Sequence, residues 1–171
     1  AVGLIAICMN VGNVLVVFLS TVLMDHAGRR VLLLSSMGGM SLSIALLTVA
    51  LLFRGVLLVL IGIVFFVMSF GLGLGPVVWL LPAELFPMSK RASATAAVTS
   101  INWLANFIVG MSFPLLAGKL GAFSFVPFGA VLIGGMAFAW YAVPETRGCT
   151  LEQIEQMMLR RQKSIRAKHR K

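Results

Sequence analysis

The chain has 171 residues, of which 60% are hydrophobic and only 11% charged, against about 45–50% apolar and about 25% charged in ordinary soluble domains. That departure excludes a soluble globular domain and points to lipid as the solvent. The net charge of +9 does not mark a nucleic-acid surface, because eight of the 14 Lys and Arg residues lie from Arg147 onward and the rest fall in short gaps between apolar runs, a pattern of membrane topology.

Five runs are long enough to cross about 30 Å of hydrocarbon as α-helix. They cover roughly 2–24, 31–53, 56–81, 92–116 and 122–143. Backbone groups in lipid must be satisfied within the segment, so helix is expected for all five and the fold class is an all-α integral membrane protein. The chain opens at Ala1 inside an apolar stretch, with neither a charged n-region nor a small-residue cleavage site. We therefore expect a part of a longer chain rather than a signal peptide.

The first predicted helix carries Asn10, Asn13 and Ser20 on one face, with Thr21 nearby. The gap 25–30 follows, holding Asp25, Arg29 and Arg30. Ser35, Ser36, Gly38, Gly39, Ser41 and Ser43 in the second helix are small residues, read as packing residues. The third helix contains Gly71-Leu-Gly73-Leu-Gly75-Pro76 and then Trp79. Pro76 removes a backbone donor and the glycines permit bending, so a hinge is expected at Gly75 and Pro76. Such a segment either interrupts a helix to expose backbone polar groups or simply packs closely. Trp79 offers a flat apolar face and one N–H donor, which suits a sugar ring; near the end of its run it also suits interfacial anchoring.

The fourth helix carries Thr95, Thr99, Asn102 and Asn106 at spacings of four, three and four. This stripe is either interhelical hydrogen bonding or the wall of a hydrated path. Asn amides both donate to and accept from hydroxyls, so Asn13, Trp79, Asn102 and Asn106 together would make a neutral polyol site. The fifth helix offers Gly129, Gly134 and Gly135 for packing and ends near Trp140 and Tyr141, which fit an interfacial aromatic belt. No Asp, Glu, Lys or Arg falls inside a predicted span. A charge at a helix centre costs about 2.5–3.5 kcal/mol and is kept where function needs it, so no carboxylate proton relay is expected in these five helices.

The gaps alternate in charge. Arg29, Arg30, Lys90, Arg91 and the eight tail cations fall on one side, against Arg54 and Lys119 on the other. The positive-inside rule then sets the N-terminus outside and the C-terminus in the cytosol. Asp25, Arg29, Arg30, Glu84, Lys90, Arg91, Glu145 and Arg147 collect on the inner face. They could latch helices together, or be ordinary surface pairs worth about 0–1 kcal/mol each. Residues 144–171 form a basic cytosolic tail, whose Thr150-Leu-Glu-Gln153 fits a capping box. Cys8 and Cys149 should lie at different depths and read as reduced thiols. His26 and His169 read as surface residues. No metal cluster, cofactor motif or catalytic constellation is visible, so no enzyme activity, metal or cofactor is expected.

Four motifs, in order over nearly the whole chain, resemble those of the sugar porters of the major facilitator superfamily. Asp25-His-Ala-Gly-Arg-Arg30 resembles their D/E-x-x-G-R-R loop. Gly75-Pro-Val-Val-Trp-Leu-Leu-Pro-Ala-Glu-Leu-Phe-Pro87 with Lys90-Arg91 resembles their G-P-x-x-W…E-x-F-P…R segment. Asn102-Trp-Leu-Ala-Asn-Phe-Ile-Val-Gly110 is similar to N-W-x-x-N-F-x-V-G, and Pro144-Glu-Thr-Arg-Gly148 to P-E-T-K/R-G. The resemblance implies that the five helices correspond to the eighth through twelfth of a twelve-helix carrier. It implies that Asn13, Trp79, Asn102 and Asn106 line a sugar site, with Trp103 close to it. It implies that Asp25, Arg29, Arg30, Glu84, Arg91 and Glu145 form an inner charge network that closes the cytosolic side. The implied partners are a monosaccharide or related polyol, the bilayer and the N-terminal half of the same carrier. Two positions depart from the pattern: Gly71 stands where many facilitative hexose carriers have Glu, and Leu74 where some have a second Pro. A carrier of organic ions or drugs is disfavoured by the neutral lining. A transport-dead sugar sensor and a truncated product are the remaining alternatives.

Overall fold

The computed structural model describes residues 2–143, and their regular structure is helical throughout. The helices are α1 (Val2–Ala27), α2 (Arg29–Leu52), α3 (Val56–Leu72), α4 (Leu74–Leu85), α5 (Met88–Leu120) and α6 (Val126–Ala142), with a 3₁₀ turn at Gly121–Phe123. Arg29–Leu52, Val56–Leu85 and Met88–Phe123 are each long and apolar enough to cross a bilayer, whereas Met9–Met24 and Val126–Ala142 are apolar but shorter. The third expected helix is thus two helices in tandem, α3 and α4. Large apolar side chains such as Phe18, Leu57, Trp103, Val131 and Phe138 point outward, as in a bundle solvated by hydrocarbon.

The turns are tighter than composition suggests. The expected loop at 25–30 shrinks to Gly28, which reverses the chain alone at φ 90°, a region few residues other than glycine enter. Arg29 Nη1 donates to Met24 O at 3.2 Å and closes the last turn of α1. After α2, Gly55 N–H donates to Ala50 O and Arg54 N–H to Leu51 O. These two bonds make a Schellman motif with Arg54 in the left-handed position, at φ 52°. α5 starts at Met88, four residues before the apolar run, because Pro87 ends the preceding segment and its carbonyl accepts from Lys90 and Arg91 N–H.

Small residues set the packing. α2 and α3 share the most extensive interface, where Ser36, Gly39 and Ser43 face Ser69, Gly62 and their neighbours. A Cβ at Gly39 would stand 2.6 Å from Ser69 Oγ, and one at Gly62 would stand 2.7 Å from Leu47 Cδ2. Ser43 Oγ donates to Gly62 O at 2.6 Å across this seam. Close approach of this kind replaces the hydrophobic effect, which is absent between helices in lipid. α6 packs on the other flank of α2, and α1 lies against α3, α2 and α4. Met24, Leu32, Leu33, Met37, Val77 and Ala139 form the buried apolar cluster. α5 touches only α4 and the 3₁₀ turn to any extent, and none of its residues is buried.

Candidate functional site

The centre of the candidate site is the break between α3 and α4. It falls at Gly73 (φ −146°, ψ −62°), two residues before the expected Gly75–Pro76 hinge. Pro76 instead occupies the first turn of α4, where a missing N–H is tolerated. Gly73 is selected by contact, because a Cβ there would lie 2.2 Å from Leu32 O on α2.

The break disturbs four backbone groups, and each has a partner. Gly73 N–H turns to Phe70 O at 3.4 Å, so Ser69 O loses its helix donor. Ser36 Oγ donates to Ser69 O at 2.7 Å. The same hydroxyl accepts from Leu74 N–H at 3.0 Å. Pro76 has no N–H for Leu72 O, and Ser20 Oγ donates to that carbonyl at 2.6 Å. Ser20 and Ser36 are fully buried. By residue type alone Ser36 is a packing residue and Ser20 part of a polar face, and neither is connected with the break. A usable signal exists: a proline inside a membrane span frees the carbonyl four residues earlier, and a neighbouring hydroxyl is the cheapest donor.

α4 touches α1, α2, α3 and α5, so Trp79 sits on the helix that joins the other candidate-bearing elements. Its side chain is 48% exposed and makes no hydrogen bond or ring contact among the described residues. On α1, Asn13 packs against the α3 backbone, since a Cβ at Gly71 would fall 2.4 Å from Asn13 Oδ1. That oxygen is buried and meets no donor among the described residues. The α5 stripe turns inward on its own helix: Asn106 Nδ2 donates to Asn102 O and Thr99 Oγ1 to Thr95 O, both at 2.9 Å. Asn106 is exposed, Asn102 half-buried and Trp103 68% exposed. Asn102 and Asn106 therefore share one helical turn, while Asn13 lies on a helix that has no substantial contact with theirs.

A charged layer lies at the α4 end. Arg29 Nε and Glu84 Oε1 pair at 3.1 Å, their side chains 19% and 17% exposed. Arg30 donates to Trp140 O and lies 5.1 Å over the Trp140 ring, a cation–π arrangement that ties α2 to α6. Trp140 thus covers a guanidinium as well as lying at the helix end. Arg91 Nη1 donates to Met88 Sδ at 3.0 Å and meets no carboxylate among the described residues. The side chain of Asp25, and Glu145 and Arg147 with the rest of the tail, lie outside the described residues. At the opposite end, an apolar cleft of about 440 Å³ opens between α2, α3, α5 and α6. There Phe113 of α5 stacks at a tilt, 5.2 Å from Phe125 and 6.1 Å from Phe128.

Comparison with known proteins bears on this arrangement. The family model described as "Sugar (and other) transporter" matches residues 2–158. The human solute carrier family 2, facilitated glucose transporter member 14, is 42% identical over 153 residues, which cover 86% of this chain and 29% of that protein. The human facilitated glucose transporter member 3 is 42% identical over 150 residues, covering 85% of this chain and 30% of the relative. The major facilitator superfamily proton:xylose symporter XylE bound to 6-bromo-6-deoxy-D-glucose superposes with a TM-score of 0.82 at 30% identity, over 90% of this chain and 34% of that one. The inward-open conformation of XylE from E. coli gives 0.81 at 32% identity, over 90% and 35%. The chain thus spans under a third of the curated relatives and about a third of the solved chains.

Proposed function

Because this multi-pass membrane chain belongs to the sugar transporter family of the major facilitator superfamily, we propose that it forms part of a carrier moving a monosaccharide or related polyol by alternating access, with no chemistry performed on the solute. The substrate class follows the named activities of its relatives, glucose transporters and a xylose symporter.

The observation that carries the reading is the surroundings of Trp79. An exposed indole, without a partner among the described residues, stands on the half-helix after a membrane break, and this half-helix touches α5, the helix that carries the Asn102–Asn106 turn. The indole face suits sugar C–H patches, and its N–H suits a hydroxyl. A buried acceptor left without a donor costs about 1–3 kcal/mol, and a substrate hydroxyl would relieve that cost at Asn13 Oδ1 once a shift of α1 against α3 opens that oxygen. The helices that carry Asn13 and the α5 stripe have no substantial contact, so further helices of a longer chain complete the site in this reading. The Arg29–Glu84 pair is the core of the cytosolic latch, joined by Arg30, with Asp25, Arg91 and Glu145 as further members.

The test is Trp79→Ala in the intact carrier, with sugar affinity measured by competition or by substrate protection of a label. Affinity should fall at least several-fold. Parent-like affinity would remove Trp79 from the site, and a parent carrier that binds no sugar would refute the substrate class.

A further inference from the structure

We propose that Ser20 and Ser36 are positioning residues whose hydroxyls stand in for helix hydrogen bonds at the α3–α4 break and so hold Trp79 at its place. The effect on sugar rests on the carrier reading above; the effect on α4 does not.

The two hydroxyls have different tasks. In an unbroken helix Gly73 N–H would return to Ser69 O and Leu74 N–H to Phe70 O. Ser36 occupies both ends of that exchange, donating to Ser69 O and accepting from Leu74 N–H. It therefore favours the broken form over the continuous one. Without it, straightening is the only way α3 and α4 can satisfy these groups in a medium with no water. Leu72 O differs, because Pro76 denies it a helix donor in either form. Ser20 on α1 supplies that donor. Pro76 and the Ser20 hydroxyl therefore act as one unit, and α1 and α2 are tied to the α3–α4 junction through hydroxyls rather than through apolar bulk. Both serines are fully buried, so no solvent molecule substitutes for them freely.

The experiment uses the intact carrier, made cysteine-free and spin-labelled at Phe65 on α3 and Phe86 at the end of α4, both exposed positions. Ser36→Ala should shift or broaden the distance between the labels. In parallel, Ser20→Ala is made with and without Pro76→Ala, and thermal unfolding is followed in detergent. Ser20→Ala should lower the melting temperature in the parent and leave it unchanged beside Pro76→Ala, where a restored N–H serves Leu72 O. An unchanged distance distribution, or an equal loss in both backgrounds, overturns the proposal. Should Ser36→Ala fail to accumulate, the Ser20–Pro76 cycle decides alone. Neither readout needs sugar, so a carrier that binds none would defeat the transport reading while these results still stand. Where the parent binds sugar, Ser36→Ala should weaken it several-fold, and an unchanged affinity would overturn the link to Trp79.

Discussion

Gly73 has almost no room: a methyl group there would press into the Leu32 carbonyl, 2.2 Å away, and into Ser36 Cβ at 2.8 Å. Neither obstacle is the free end of a flexible chain, so relief requires moving α2 against α3. Gly73→Ala should destabilise the bundle by about 1–3 kcal/mol, the scale of overpacking a tight site, seen as a lower melting temperature in detergent. Gly38, with no atom within 4 Å of its added Cβ, is the control that should change little. The sequence displays Gly71, Gly73 and Gly75 on equal terms. What distinguishes them is which one meets the backbone of α2, a fact of tertiary contact. Pro76 drew attention to the wrong residue for a related reason: a proline marks where a donor is missing, and the chain places that loss just inside a new helix, after the bend.

Five apolar runs were legible because lipid leaves a span few choices, and length with composition carries the information. Their ends were not, since Gly28 turns the chain in one residue and Arg54 caps α2 with a left-handed backbone that propensity alone does not favour. The polar faces of α1 and α5 were readable from spacing, but their partners were not. Asn106 and Thr99 bond to their own helix, an outcome spacing cannot separate from bonding to another helix. The link between α2 and α4 through Arg29 and Glu84 joins two elements that are far apart in the chain, at a layer where helices end. Partial burial shields the pair from salt screening more than a surface pair. Glu84→Gln removes the charge while keeping the shape, and Arg29 keeps its bond to Met24 O. In the intact carrier this should loosen the latch and raise cytosolic accessibility of cysteines introduced along α4. Accessibility equal to the parent's would defeat the latch.

Charge divides the whole molecule into two ends. Arg29, Arg30, Glu84, Lys90 and Arg91 collect at one, while Arg54 and Lys119 stand alone at the other. We propose from the positive-inside rule that the α2–α3 turn faces outward. A cysteine replacing Arg54 should react with a membrane-impermeant thiol reagent added outside intact cells, and one replacing Lys90 only after the cells are opened; the reverse pattern would invert the topology. The described helices are also held unevenly. α6, the last of the described helices, packs on α2, whereas α5, which precedes it, has its main contacts with α4 and the 3₁₀ turn. Neighbours in the chain are therefore not the closest neighbours in the bundle here. The Phe113 contacts with Phe125 and Phe128 at the α5–α6 corner then make that corner the place where α5 is fastened to the end of the bundle that α6 shares with α2.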